Sequence, residues 1–421
     1  MEFTWQLDTL ALVGLTLVVA YAVGEGFRRV GIPRVVGFLA AGLLLGPSIA
    51  HVIPDELNSN LGFISEIALG LIGFEMGSHL RFDELRKLGG SILWIALAQA
   101  AAAFLLVGLA AYFITGSDYI ALLLGAIATS TAPAATMEVL AEYEAEGPLT
   151  TTLLAVIGID DAISLLLYSF AAAVAESLVG TETFTLLEMI ELPLVEIGGS
   201  LLVGGAVGLL MGNILHRLPL HHDEVVLPIG IGLFAAGLTS TLHLSLILTT
   251  MTMGVVVINT EPRNGQYIRF LVERTGPLVY VLFFVLAGAR MHLDVLPTMG
   301  LLGVSYVVFR AIGKYGGTWV GARISGAIPS VRNYLGLALM AQAGVAIGLA
   351  LDAGARFSAL GPDGERLALL ISTVVTSGVL VAEVLGPILV KAAIIRAGEA
   401  GMAQEPVLST GASVTQGAGP D

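Results

Sequence analysis

The chain has 421 residues, of which 56% are hydrophobic and only 12% charged, with a mean hydropathy of +0.89. A soluble globule of this composition lacks the polar surface to cover itself, so the chain reads as an all-α polytopic membrane protein. Zero cysteines exclude disulfides, thiolate metal sites and iron–sulfur clusters, and a net charge of -14 suits cations and argues against a nucleic-acid partner.

A bilayer core of about 30 Å takes roughly 20 apolar helical residues. On that measure thirteen segments follow one another, at approximately 7–26, 34–51, 61–79, 90–115, 118–141, 149–176, 188–214, 224–241, 244–260, 275–291, 298–321, 332–354 and 366–392. The first has no basic leader and no small-residue cleavage pattern, so it is expected to be a retained helix. The stretch Glu224 to Thr260 would be about 54 Å long as one helix, and is divided at Leu242-His243. Lys and Arg test this count because they collect in cytoplasmic loops. Fourteen fall on one side and three, Arg290, Arg356 and Arg366, on the other, which puts the N-terminus outside and the C-terminus in the cytoplasm. Residues 397–421, rich in Gly, Ala and Ser, read as a disordered cytoplasmic tail with no nucleotide-binding domain after the membrane part.

The fifth span is interrupted at Ala128-Thr129-Ser130-Thr131-Ala132-Pro133-Ala134. Pro133 removes a helix hydrogen bond, and the hydroxyls of Thr129, Ser130 and Thr131 can satisfy freed backbone groups or ligate a cation. The twelfth span holds a second candidate break, Met340-Ala341-Gln342-Ala343-Gly344. If spans one to six and eight to thirteen are inverted repeats around a linking seventh helix, these two breaks correspond, which points to a transport site at the midplane.

The sixth span carries two adjacent acids, Asp160 and Asp161, in the middle of an apolar stretch. Charge at that depth costs several kcal/mol, roughly 2.5–3.5 on insertion scales, so the pair calls for a functional explanation. Asp160 lies near 17 Å from the cytoplasmic end of its helix, close to mid-membrane, with helical rise as the ruler. Neighbours on a helix point about 100° apart, so one carboxylate can face an ion cavity while the other meets a neighbouring helix. Such a site can hold either protons or Na⁺, Li⁺ or K⁺, and that competition is itself an exchange mechanism.

Basic partners stand in the eleventh span, where Arg310 and Lys314 share one helix face. Arg310 matches Asp160 in depth and Lys314 lies about one turn closer to the cytoplasm, while Glu75 in the third span adds another intramembrane acid, which could take Arg310 and leave Lys314 for Asp160; the residues leave both pairings open, as they do a Lys314 that snorkels to the surface. Softer candidates are Glu142, Glu144 and Glu146 at the inner mouth, the cluster His221-His222-Asp223-Glu224, and the span acids Glu138 and Glu383.

Taken together, Pro33–Pro47, Ile64–Gly77, Thr129–Pro133, Gly158-Ile159-Asp160-Asp161, Phe283–Gly288, Arg310–Lys314 and Gln342–Gly348 resemble the monovalent cation:proton antiporters, in order and at similar spacing over nearly the whole membrane region. The resemblance implies an NhaA-like antiporter fold with inverted repeats and two crossed broken helices. A core at about 90–176 and 298–392 would move as an elevator against a dimerisation scaffold at about 7–79 and 188–291, within an antiporter domain spanning 1–396. It implies Asp161 as the carrier of the monovalent cation and of protons and Asp160 as its second member. Thr131 and Ser130 would lie at the site, and Arg310 or Lys314 would pair with an acid. The Asp-Asp form implies electrogenic exchange of Na⁺ or Li⁺ for H⁺ in a homodimer of the prokaryotic inner membrane, with no cofactor beyond the transported ions. A K⁺/H⁺ antiporter, a symporter of the same fold and a non-transporting membrane sensor are the competing readings, and no pattern points to an enzyme. Two departures stand out: Ala132 sits where many members have an Asp, leaving backbone groups to serve, and Arg310 and Lys314 are both present.

Overall fold

The computed structural model describes residues 9–46, 49–53, 61–179, 186–217, 226–242, 244–289, 300–358 and 362–402. The described residues form fifteen helices. In order they are α1 (Thr9–Arg29), α2 (Arg34–Leu45), α3 (Gly62–Ser78), α4 (Phe82–Thr115), α5 (Asp118–Ile127), α6 (Pro133–Glu142), α7 (Pro148–Val179) and α8 (Leu186–Arg217). There follow α9 (Val226–Thr241), α10 (Leu246–Thr260), α11 (Pro262–Ala289), α12 (Gly300–Ile324), α13 (Pro329–Ala338), α14 (Gly344–Ser358) and α15 (Pro362–Ala397). Six of them are long and apolar enough to cross a bilayer.

Local chemistry sets the boundaries. Gly116 takes a left-handed φ of +69° and ends α4, its N–H bonding Tyr112 O at 2.7 Å, and Ser117 then caps α5 by accepting from Ile120 N at 3.4 Å. α5 stops at Ile127, five residues run without helix, and Pro133 opens α6 at its first position, where a missing N–H costs nothing. The second interruption has the same build, with α13 ending at Ala338 and α14 resuming at Gly344. α2 stops at Leu45, short of the predicted 51, because the chain turns back through Gly46 with His51 N bonding Gly46 O at 3.0 Å.

Two sets of helices pack together. α4–α7 and α12–α15 surround the breaks, while α1–α3 associate with α8–α11. Within the first set α12 lies along α4 through Gly313, Gly317 and Gly321, one turn apart. A Cβ at Gly317 would stand 2.6 Å from Ala98 O and from Gln99 Cα, so only glycine permits the approach. This stripe fixes the height of Arg310 and Lys314 against α4.

The predicted tail is corrected at its start. α15 ends in a double turn, with Gly398 N bonding Ile395 O and Glu399 N bonding Ile394 O, and the chain stays ordered through Met402. Gly401 N bonds Tyr143 O at 2.8 Å and Met402 N bonds Glu144 O at 3.0 Å, so these residues are held by the α6–α7 loop. Residues 403–421, His221, His222, Asp223, Glu224 and Arg290 lie outside the described residues.

Candidate functional site

The two breaks meet. Ala132 N donates to Ala341 O at 3.0 Å, and Gln342 Nε2 donates to Ile127 O at 3.1 Å, to Ser130 Oγ at 3.2 Å and to Tyr306 OH at 2.9 Å. Within the first break, Thr129 Oγ1 and Ser130 Oγ donate back to Ala126 O and Ile127 O, satisfying carbonyls that the interrupted ladder releases. Ala132 uses both backbone groups in the scaffold, its carbonyl accepting from Thr136 Oγ1 at 3.2 Å. Gly344 is simply the first residue of α14, with open space where a Cβ would stand.

Arg310 is almost fully buried, 3% exposed, and donates to four carbonyls: Ala128 O at 3.1 Å, Ser130 O at 2.7 Å, Met340 O at 2.8 Å and Ala341 O at 3.2 Å. These oxygens lie at the C-terminal ends of α5 and α13, where the helix dipoles are negative, so two half-helix ends balance the guanidinium. Its five N–H groups in a rigid fork suit this role better than an ammonium would. The expected pairing of Arg310 with an acid is therefore corrected, because four of its five N–H groups bond backbone carbonyls.

Lys314 takes the acid instead. Its ammonium is fully buried rather than snorkelling and donates to Asp160 Oδ2 at 2.8 Å, to Thr131 Oγ1 at 2.8 Å and to Thr129 O. Thr131 Oγ1 passes the contact on, donating to Asp160 Oδ2 at 2.7 Å. The other oxygen, Asp160 Oδ1, accepts from Gln99 Nε2 of α4. Three donors from three parts of the chain thus close on one carboxylate.

Asp161 is the opposite case. Among the described residues its Oδ1 is buried and has no hydrogen-bond partner. Gly158, one turn earlier, faces α10, where a Cβ would come within 2.6 Å of Met251. Asp161 shares that face, so it looks from the first set of helices toward the second.

Glu75 belongs to neither basic residue. It is 3% exposed and its Oε2 accepts from Tyr280 OH at 2.8 Å, which ties α3 to α11. Of Glu142, Glu144 and Glu146, Glu142 Oε2 accepts from Arg34 N at 2.8 Å and so caps α2.

Gln99, Tyr306 and Glu399 escaped the sequence reading. Gln99 carried a signal, as a lone amide in the apolar run Ile92–Gly108. Glu399 carried none, since it stands in a Gly/Ala stretch, yet its carboxylate accepts from Leu149 N at 2.7 Å, Thr150 N at 2.8 Å and Thr150 Oγ1 at 2.9 Å at the start of α7. It therefore caps the helix that carries both aspartates. Glu399→Ala is expected to destabilise the purified protein by about 1–2 kcal/mol, the worth of a strong N-cap, read as a lowered thermal midpoint in detergent, and Glu399→Gln by less.

Comparison with known proteins bears on most of the chain. The family described as sodium/hydrogen exchanger, transmembrane, matches residues 14–391. A curated relative, the high-affinity Na⁺/H⁺ antiporter NhaS3 of Synechocystis, is 24% identical, over 89% of this chain and 90% of its own. Two structures of the sodium proton antiporter MjNhaP1 from Methanocaldococcus jannaschii share the fold at 18% identity. The TM-scores are 0.74, over 96% of this chain and 100% of the other, and 0.67, over 92% and 98%.

Proposed function

The chain belongs to the sodium/hydrogen exchanger family, and from that premise we propose that it is a secondary active antiporter exchanging Na⁺ or Li⁺ for H⁺ across the membrane. The observation that carries this reading is the inequality of the two acids: Asp160 is closed by three donors, while Asp161 Oδ1 is buried and open. A buried acceptor without a donor takes up a proton or a small hard cation, and one oxygen cannot hold both. Either occupant neutralises Asp161, and the neutral carrier is the form that can cross a low-dielectric barrier.

The helix sets suggest the moving parts. In this reading α4–α7 and α12–α15 form an elevator that slides against α1–α3 and α8–α11, and the chain crosses thirteen times, the two interrupted helix pairs each counting as one span. The N-terminus then lies outside and the C-terminus in the cytoplasm of a prokaryotic inner membrane, and the scaffold set carries the contacts of a homodimer. The service to the cell is pH and sodium homeostasis. Exchange is electrogenic if a bound cation displaces Lys314 from Asp160, because the freed ammonium supplies a proton beyond the one from Asp161.

The name of the Synechocystis relative supports Na⁺ over K⁺. The test is purified protein in liposomes under an imposed pH gradient. Na⁺ and Li⁺ are expected to dissipate the gradient, faster when the membrane potential is clamped. Dissipation by K⁺ alone would move the reading to K⁺/H⁺ exchange, and none by any of the three would end it.

A further inference from the structure

Two side-chain bonds join the helix sets at one end of the molecule. Glu142, at the end of α6, accepts from Arg34 N at the start of α2 at 2.8 Å, and Lys391 of α15 donates to Gly31 O, just beyond α1, at 2.5 Å. The carboxylate meets the positive end of one helix and the ammonium the negative end of the other, so both charges suit the dipoles they touch. Lys391 also stands over the ring of Tyr143 at 5.1 Å, which links the two gripping side chains. The α1–α2 turn, residues 30–33, is thus held from both sides. Apolar packing follows the same division. One cluster contains Val36 and Ile72 of the second set together with Val139, Leu153 and Ile394 of the first, whereas the cluster of Tyr168, Leu349 and Ile371 toward the opposite end draws on the first set alone. The sets are therefore packed together at the end that carries the two bonds.

We propose that Glu142 and Lys391 form a releasable clasp on the α1–α2 turn, which holds the protein in the state closed at this end, the cytoplasmic one in the orientation given above. The inference rests on the reading that α4–α7 and α12–α15 slide against α1–α3 and α8–α11. Both bonds run from a side chain of the first set to backbone of the second, so a slide must break them. The grip is also built to let go. Arg34 turns its guanidinium to Glu25 of its own set, Nη2 donating to Oε2 at 3.3 Å, and among the described residues Arg34 Nε and Glu142 Oε1 are buried without partners. A permanent joint would pair these groups, since an idle buried donor or acceptor is costly. Instead each gripping side chain makes one bond to backbone, and the Lys391 bond is exposed, where water takes over both partners on release. Such a contact favours one of two states by its own free energy and leaves the other populated.

The chain has no cysteine, so an introduced one reports alone. Met76→Cys places it on α3, fully buried, at a side chain whose Cε lies 3.8 Å from where a Cβ on Gly158 of α7 would stand, across the boundary between the sets. Ala172→Cys places it in the cluster of the first set alone, equally buried. Maleimide labelling of each reporter is timed in nanodiscs, with the clasp intact and with Glu142→Ala, Lys391→Met, Glu142→Gln or Lys391→Arg. Loss of either grip is expected to speed labelling of Met76→Cys by about tenfold or more, the weight of one hydrogen bond to a charged group in an equilibrium, and to leave Ala172→Cys unchanged. Glu142→Gln keeps an acceptor and Lys391→Arg a donor, so both are expected to keep the slow rate. Equal Met76→Cys rates with and without the clasp overturn the inference, and so does a rise at both reporters alike, which marks general loosening. Should Glu142→Ala fail to fold, Lys391→Met decides on the same terms. Na⁺-driven exchange by the wild type in liposomes is recorded alongside: its absence removes the antiport reading, while the labelling rates judge the clasp by themselves.

Discussion

Asp161→Asn is expected to abolish cation-driven proton movement in proteoliposomes while leaving the protein folded. The size of the effect follows from the charge removed. At about 4 Å a unit anion attracts a cation by roughly 4 kcal/mol at an effective dielectric of about 20, which is about a thousandfold in affinity. Asparagine keeps the volume and an oxygen, but it neither titrates nor neutralises a cation. The fold should be spared because, among the described residues, the Asp161 Oδ1 has no hydrogen-bond partner to lose. The measurement is the pH-gradient assay alongside size-exclusion and thermal profiles of the same preparation. An Asp161→Asn variant that dissipates the gradient like wild type removes Asp161 from the carrier role. One that fails to fold shows that the residue is held by more than the contacts described.

Arg310→Met is expected to act oppositely, on the fold before the transport. Its guanidinium collects four carbonyls from two interrupted helices, and a hydrogen bond to a charged group contributes about 1.5–3 kcal/mol. Methionine fills similar space and leaves those oxygens buried without a donor, so the two breaks lose the group that joins them. The expected result is loss of the monodisperse peak, or a thermal midpoint too low for reconstitution. Arg310→Lys should recover part of the stability: it restores the charge, but a compact ammonium cannot span four acceptors as the planar fork does. Equal stability of Arg310→Met and wild type would mean that water or lipid satisfies the carbonyls.

These two residues also mark the limits of what the sequence discloses. The break at Thr129–Pro133 was legible because proline and hydroxyl side chains change backbone chemistry locally, and Met340–Gly344 because small residues interrupt an apolar run at the matching place. The acid pair was legible because charge at membrane depth is costly wherever it falls. The partner of each acid was not. Arg310 and Lys314 sit one turn apart on one face, and nothing local says which of them meets Asp160. Depth favoured Arg310, and the structure gives that acid to Lys314. Glu75 likewise reads as an acid in need of a base, yet a phenol from α11 answers it.

Composition, period and the price of buried charge thus determined by themselves that the chain is a helical membrane protein, roughly where its helices fall, where two of them break and where acids lie in apolar helix. These are properties of single segments set against a solvent, and each segment carries its own evidence. Only the tertiary structure decided that two helix ends balance Arg310, that Lys314 closes on Asp160, that Gln99 reaches it from α4 and that Glu399 caps α7 across 249 residues of chain. Those contacts depend on how closely helices approach, and the approach is set by glycines that let α12 lie against α4, a pairing no single segment contains.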